Sequence, residues 1–115
     1  MKKTALFAFN GDPMCFVHVL LNALDMKEKG YDIKLVIEGS AVKLIPELAE
    51  TDNMMHGLYV KCKEQGIIDA ACKACSAKMK VTDDVEKEGL PFADEMSGHP
   101  SMARYRDDGY EILIF

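Results

Sequence analysis

Short apolar runs that end in turn residues alternate along the chain with longer stretches of helical period. The first run, Thr4–Phe9 (TALFAF), stops at Asn10-Gly11-Asp12-Pro13 and predicts a buried strand. Asp12 can cap a helix with Pro13 at its first position, and the helical stretch runs to Lys29 and stops at Gly30. Within it His18, Asn22, Asp25 and Lys29 form one narrow polar stripe, and the rest, including Phe16, Leu20 and Leu24, is apolar. A helix this apolar is expected to be covered on more than one side, by the core or by a partner subunit.

The alternation continues. Asp32–Glu38 (DIKLVIE) reads as a second strand, Gly39-Ser40 as a turn, and Ala41–Leu48 as a short helix that Pro46 breaks or kinks. Thr51–Gln65 predicts a further helix, closed by Gly66. Ile67–Cys72 (IIDAAC) is the third strand, and Lys73–Met79 starts a helix straight after it. Asp83–Lys87 is a shorter helical piece, Leu90–Ala93 a fourth strand, Pro100–Asp108 the last helix, and Tyr110–Phe115 (YEILIF) the final strand. Five strands separated by helices predict an α/β domain with a mainly parallel sheet covered on both faces. Chemistry in such sheets gathers at the carboxyl ends of strands. That rule selects four loops: Asn10–Met14, Glu38–Ala41, Cys72–Ser76 and Asp94–Ser101.

Length and composition fit one domain: 115 residues, 49% hydrophobic and 29% charged, enough apolar content for a core and too much for a disordered tail. The net charge of −5, with few Arg and no basic block, argues against nucleic acid as a partner. No apolar run approaches the roughly 18 residues of a membrane span. Met1-Lys2-Lys3 has the charge of a secretory leader, but the apolar stretch behind it is short and lacks a small-residue cleavage site, so a cytoplasmic protein is expected. In that compartment the thiols of Cys15, Cys62, Cys72 and Cys75 are expected to be free, catalytic or metal-bound rather than paired in a disulfide framework.

Cys72-Lys73-Ala74-Cys75 is the strongest local feature. A thiol where a strand hands over to a helix start, with Lys73 and Lys78 nearby, is expected to have a lowered pKa and to favour a thiolate or persulfide anion. Cys75, one turn on, is placed to resolve an oxidised Cys72 as a disulfide. The same pair is half of a zinc site, for which Cys15 and His18, a close pair on one helix face, are the candidates for the other half. His99, in the loop Met96–Ser101, can cap the following helix or act as proton donor or acceptor beside Cys72. Cys62 falls on the apolar stripe Met55, Leu58, Tyr59, Cys62 and reads as a core thiol, while His56 lies off that stripe and is expected to be solvated. There is no Gly-rich phosphate loop, no G-x-S-x-G, and no Trp-Cys-Gly-Pro around the cysteine pair.

Three stretches together resemble the DsrE/DsrF-like family, which includes the TusD-type sulfur-relay proteins: Thr4–Pro13, the strand-end cysteine with its small basic helix Cys72–Val81, and the block Phe92–Phe115. The resemblance implies a three-layer α/β/α sandwich with a five-stranded parallel sheet, and homo- or hetero-oligomers. It implies that Cys72 carries sulfur as a persulfide between protein thiol donors and acceptors, with no cofactor. Cys75 is an addition to the TusD-type pattern, and Lys80 stands where a Gly is common. The expected function is therefore a sulfur-relay or persulfide carrier acting through Cys72 and Cys75, supported by Lys73 and His99. Two alternatives stand beside it: a binding or assembly module holding zinc or a small ligand at the C-x-x-C edge, and a thiol redox sensor.

Overall fold

A computed structural model describes residues 1–115. Two strands, β1 (Lys3–Ala8) and β2 (Asp32–Ile37), are covered on both faces, which is why they read as near-continuous apolar runs. They pair in parallel with Leu6 opposite Leu35 and Ala8 opposite Ile37. With β3 (Ile68–Cys72), β4 (Phe92–Ala93) and β5 (Glu111–Ile114) they form a five-stranded, all-parallel sheet of order β4-β3-β2-β1-β5.

That order explains how the helices divide. The chain steps in one direction from β1 to β4, so right-handed crossovers put α1 (Pro13–Glu28), α2 (Ile45–Leu48), α3 (His56–Glu64), α4 (Lys73–Lys78) and α5 (Thr82–Lys87) on one face. The step from β4 back to β5 is reversed, and α6 (Met102–Asp107) lies on the other. The cores agree. Leu6, Ala8, Leu35 and Ile37 pack with Phe16, Leu20, Tyr59 and Val85 in the larger cluster. Ala5, Phe7 and Val36 pack with Tyr105 and Tyr110 in the smaller one. Adjacent strands β3 and β4 therefore send their connections to opposite faces, which opens a crevice between their carboxyl ends.

Several expected boundaries move for local reasons. Asp12 caps α1 by accepting the Met14 N–H at 2.9 Å, with Pro13 in the first turn as predicted. However, α1 buries one face only, through Phe16, Val19, Leu20 and Ala23; Met14 and Leu21 remain 75% and 48% exposed. The segment with Pro46 splits into a 3₁₀ helix, Gly39–Leu44, and α2, where Pro46 falls in the first turn and costs no hydrogen bond. The helix predicted over 51–65 starts only at His56, because the Asn53 side chain accepts the Met55 N–H at 2.8 Å and holds a turn there instead. His56 is half-buried rather than fully solvated, with its Nδ1 2.8 Å from the Leu48 carbonyl oxygen.

One irregularity phases the site. Leu35 pairs with Ile68 and Val36 with Ala70, so Asp69 is skipped and the side chains beyond it change faces. Asp69 accepts a hydrogen bond from Tyr105 of α6 and lies 3.4 Å from Lys34. Ile68 and Ala71 consequently share the larger core, and Cys72 ends the strand beside them.

Candidate functional site

Loops from β2, β3 and β4 meet at the carboxyl edge. Cys72 ends β3 and caps α4; its Sγ accepts the Cys75 N–H at 3.2 Å, and the buried Ser76 Oγ donates to the Cys72 carbonyl at 2.7 Å. The loop after β4 is tied to this turn by the Ala74 N–H, which donates to the Gly98 carbonyl at 2.8 Å. Gly98 has φ +88°, and a Cβ there would stand 3.1 Å from the Ala74 Cβ, so glycine is what lets the loop come this close. Pro100 is buried immediately beyond. Between these two anchors His99 is presented with Nδ1 3.2 Å from Cys72 Sγ and 3.8 Å from Cys75 Sγ.

The third contribution comes from β2. Glu38 follows the strand, its N–H bonded to the Ala8 carbonyl at 2.8 Å, and Gly39 turns the chain at φ +53°. The Gly39 N–H donates to Cys75 Sγ at 3.2 Å. The outcome is a group of four ligating atoms, from Glu38, Cys72, Cys75 and His99, all within 4.8 Å of one another.

Electrostatics here run against the expected thiolate. Cys72 has no exposed surface, and burial, with the neighbouring Cys75 thiol and Glu38, pushes its thiol up to about 12; only the Cys75 N–H works the other way. Burial likewise raises the Glu38 carboxyl to about 7. The helix that was to supply positive charge is six residues long, and Lys73 points outward to Asp94 at 3.7 Å, an exposed pair of little energetic weight. Lys78 is also exposed. Neutral groups are favoured in this setting unless a cation compensates them.

Among the residues singled out from the sequence, Cys72, Cys75 and His99 come together, and Lys73 lies beside them without facing them. Cys15 and His18 do not join them. Both are exposed on α1, where Cys15 Sγ accepts from Asn10 Nδ2 at 3.5 Å. The four-residue set Cys15/His18/Cys72/Cys75 is replaced by one in which Glu38 and His99 complete the pair. Glu38 escaped the sequence reading, although its signal was present: a carboxylate closing an apolar strand in one of the selected loops. Cys62 is a core thiol, fully buried and raised to about 11 by that burial.

No protein-family model matches the chain. It is 31% identical over 97 residues to the uncharacterised protein MJ0733 of Methanocaldococcus jannaschii, an alignment that covers 84% of this chain and 77% of that protein. An uncharacterised protein of Archaeoglobus fulgidus is 45% identical over 49 residues, 43% of this chain and 80% of that protein. Among solved structures, BT1422 from Bacteroides thetaiotaomicron, a conserved protein of unknown function, superposes with a TM-score of 0.76 over 99% of this chain and 95% of its own. At 19% identity that likeness is one of fold.

Proposed function

The chain belongs to the family of the uncharacterised Methanocaldococcus jannaschii protein MJ0733, and from the residues at its carboxyl edge we propose that it is a metal-binding protein. The ion is a soft divalent transition metal of the zinc class, held by Cys72, Cys75, His99 and Glu38. The observation that carries this reading is the gathering of four donor atoms from three loops within 4.8 Å. Tetrahedral zinc with bonds of about 2.0–2.3 Å needs ligand atoms roughly 3.3–3.8 Å apart, so contraction by about an ångström closes the site. Two thiolates, one imidazole and one carboxylate are each established donors for such an ion, and the ion in turn neutralises the charge that burial opposes.

Metal analysis of untagged protein after removal of bound ions and reloading with zinc or cobalt(II) tests this. About one ion per chain is expected, and Cys75→Ser should weaken binding at least tenfold, roughly the scale on which metal sites respond to lost support. Because two thiol protons leave on binding, affinity should rise about a hundredfold per pH unit above neutrality. Absence of binding under reducing conditions would overturn the proposal.

A second reading is sulfur carriage of the DsrE/DsrF-like kind, using the same thiols without metal. It is favoured by Cys75, whose sulfur is half-buried rather than sealed and accepts the Gly39 N–H. In this reading donor sulfur enters at Cys75: its thiolate attacks the outer sulfur of a donor persulfide and the donor thiolate leaves. Intact mass after incubation with a persulfide donor should show one added sulfur, lost in Cys75→Ser. Metal uptake without sulfur uptake would leave the first reading alone.

A further inference from the structure

Beside the four donors lies a cleft of about 470 Å³ between the ends of β1 and β2 and the start of α6. Its walls are mostly apolar: Phe9, Met96, Pro100 and Met102 line it, and Glu38 and His99 are the groups it shares with the site. Glu38 is 5% exposed and lines the cleft, and since no buried side-chain oxygen in the protein lacks a partner, its carboxylate opens to the cleft rather than being sealed. A carboxylate that opens to the cleft in this way can be reached by something that arrives through it.

We propose, resting on the metal-centre reading, that the cleft admits a small thiol with a short apolar body, and that its sulfur takes the metal position Glu38 holds in its absence. In the exchange the metal–oxygen bond to Glu38 breaks and a metal–sulfur bond forms. The thiol proton passes to the released Glu38 carboxylate, and nothing is oxidised or reduced. Three features select this ligand. The apolar walls suit a hydrocarbon body. Two cysteines already make the site soft, so a third sulfur is preferred over the oxygen of Glu38. The swap also conserves charge, since one anionic ligand replaces another and the proton stays in the cleft. A neutral alcohol of equal shape lacks both the softness and the charge match.

The test uses the full chain loaded with cobalt(II), titrated with 1-propanethiol and, separately, with 1-propanol. Sulfur-to-cobalt charge transfer should grow about 1.5-fold with the thiol, as two thiolate ligands become three, and should stay unchanged with the alcohol. Ala103→Trp and, independently, Met96→Trp fill the cleft from positions outside the donor set; each should keep the cobalt spectrum and lose the response to thiol. A spectrum that the thiol leaves unchanged overturns this inference while the metal centre stands. A response that survives both substitutions, or a thiol that merely strips the cobalt, overturns it as well. Failure to bind cobalt at all sinks the metal-centre reading and this inference together.

Discussion

Lys80 holds φ 60°, a left-handed conformation that costs a residue with a Cβ about 1–2 kcal/mol. Its side chain is exposed and makes no ion pair, so Lys80→Gly should stabilise the protein by roughly 1 kcal/mol, read as a shift in the urea midpoint. Glu38 gives a pH-dependent counterpart. Its folded pKa of about 7 lies above the ordinary 4.5, so the folded state holds a proton that the unfolded state releases between those values. Metal-free protein should therefore be most favoured by this group below pH 4.5 and lose up to about 3 kcal/mol as pH rises through 7. Urea titrations at several pH values should show that slope in the wild type and a flatter one in Glu38→Gln. At this scale the sequence was partly legible. Cys72 and Cys75 could be paired because they are neighbours on one turn. His99 could be placed beside Cys72 from its loop at a strand end, but Glu38 could not be joined to them, because that meeting depends on strand order and on a bulge at Asp69 that apolar patterning does not record.

Elements with their own punctuation were readable in advance. The N-terminus of α1 is written in Asp12-Pro13, and the apolar runs of β1 and β2 follow from burial on both faces. Errors arose where a side chain competes with the backbone, as at Asn53, or where an element is very short, as at β4 with its two residues. The thiolate expectation failed for a related reason: a helix start was inferred correctly, but the depth of Cys72 beneath the loop of Gly98 was not. That loop is itself a test of the site. Gly98→Ala places a Cβ at a left-handed position and 3.1 Å from Ala74, so it should cost about 1–2 kcal/mol and push His99 away from the thiols. Weaker metal binding in a variant that still shows the wild-type far-ultraviolet circular dichroism is the expected outcome.

Across the whole molecule, the face assignments follow from the order β4-β3-β2-β1-β5, with one reversal in the path of the chain. The reversal accounts for the unequal layers: five helices cover one side, while α6 alone brings Tyr105 against Phe7 and Tyr110 on the other. The same reversal sets the crevice between β3 and β4, so the arrangement that divides the layers also positions the candidate centre. No helix is long and apolar enough to cross a membrane.

The short border strand β4 has a consequence of its own. It is bonded on one side only, through Ala71–Phe92 and Cys72–Ala93, and two residues of ladder are a weak seam. His99 hangs from its far end, whereas Glu38 and the two thiols hang from the strands inboard of it. Whatever grips all four at once would therefore act as a clasp on that border, and its removal would let the margin fray while the interior of the sheet stays shut.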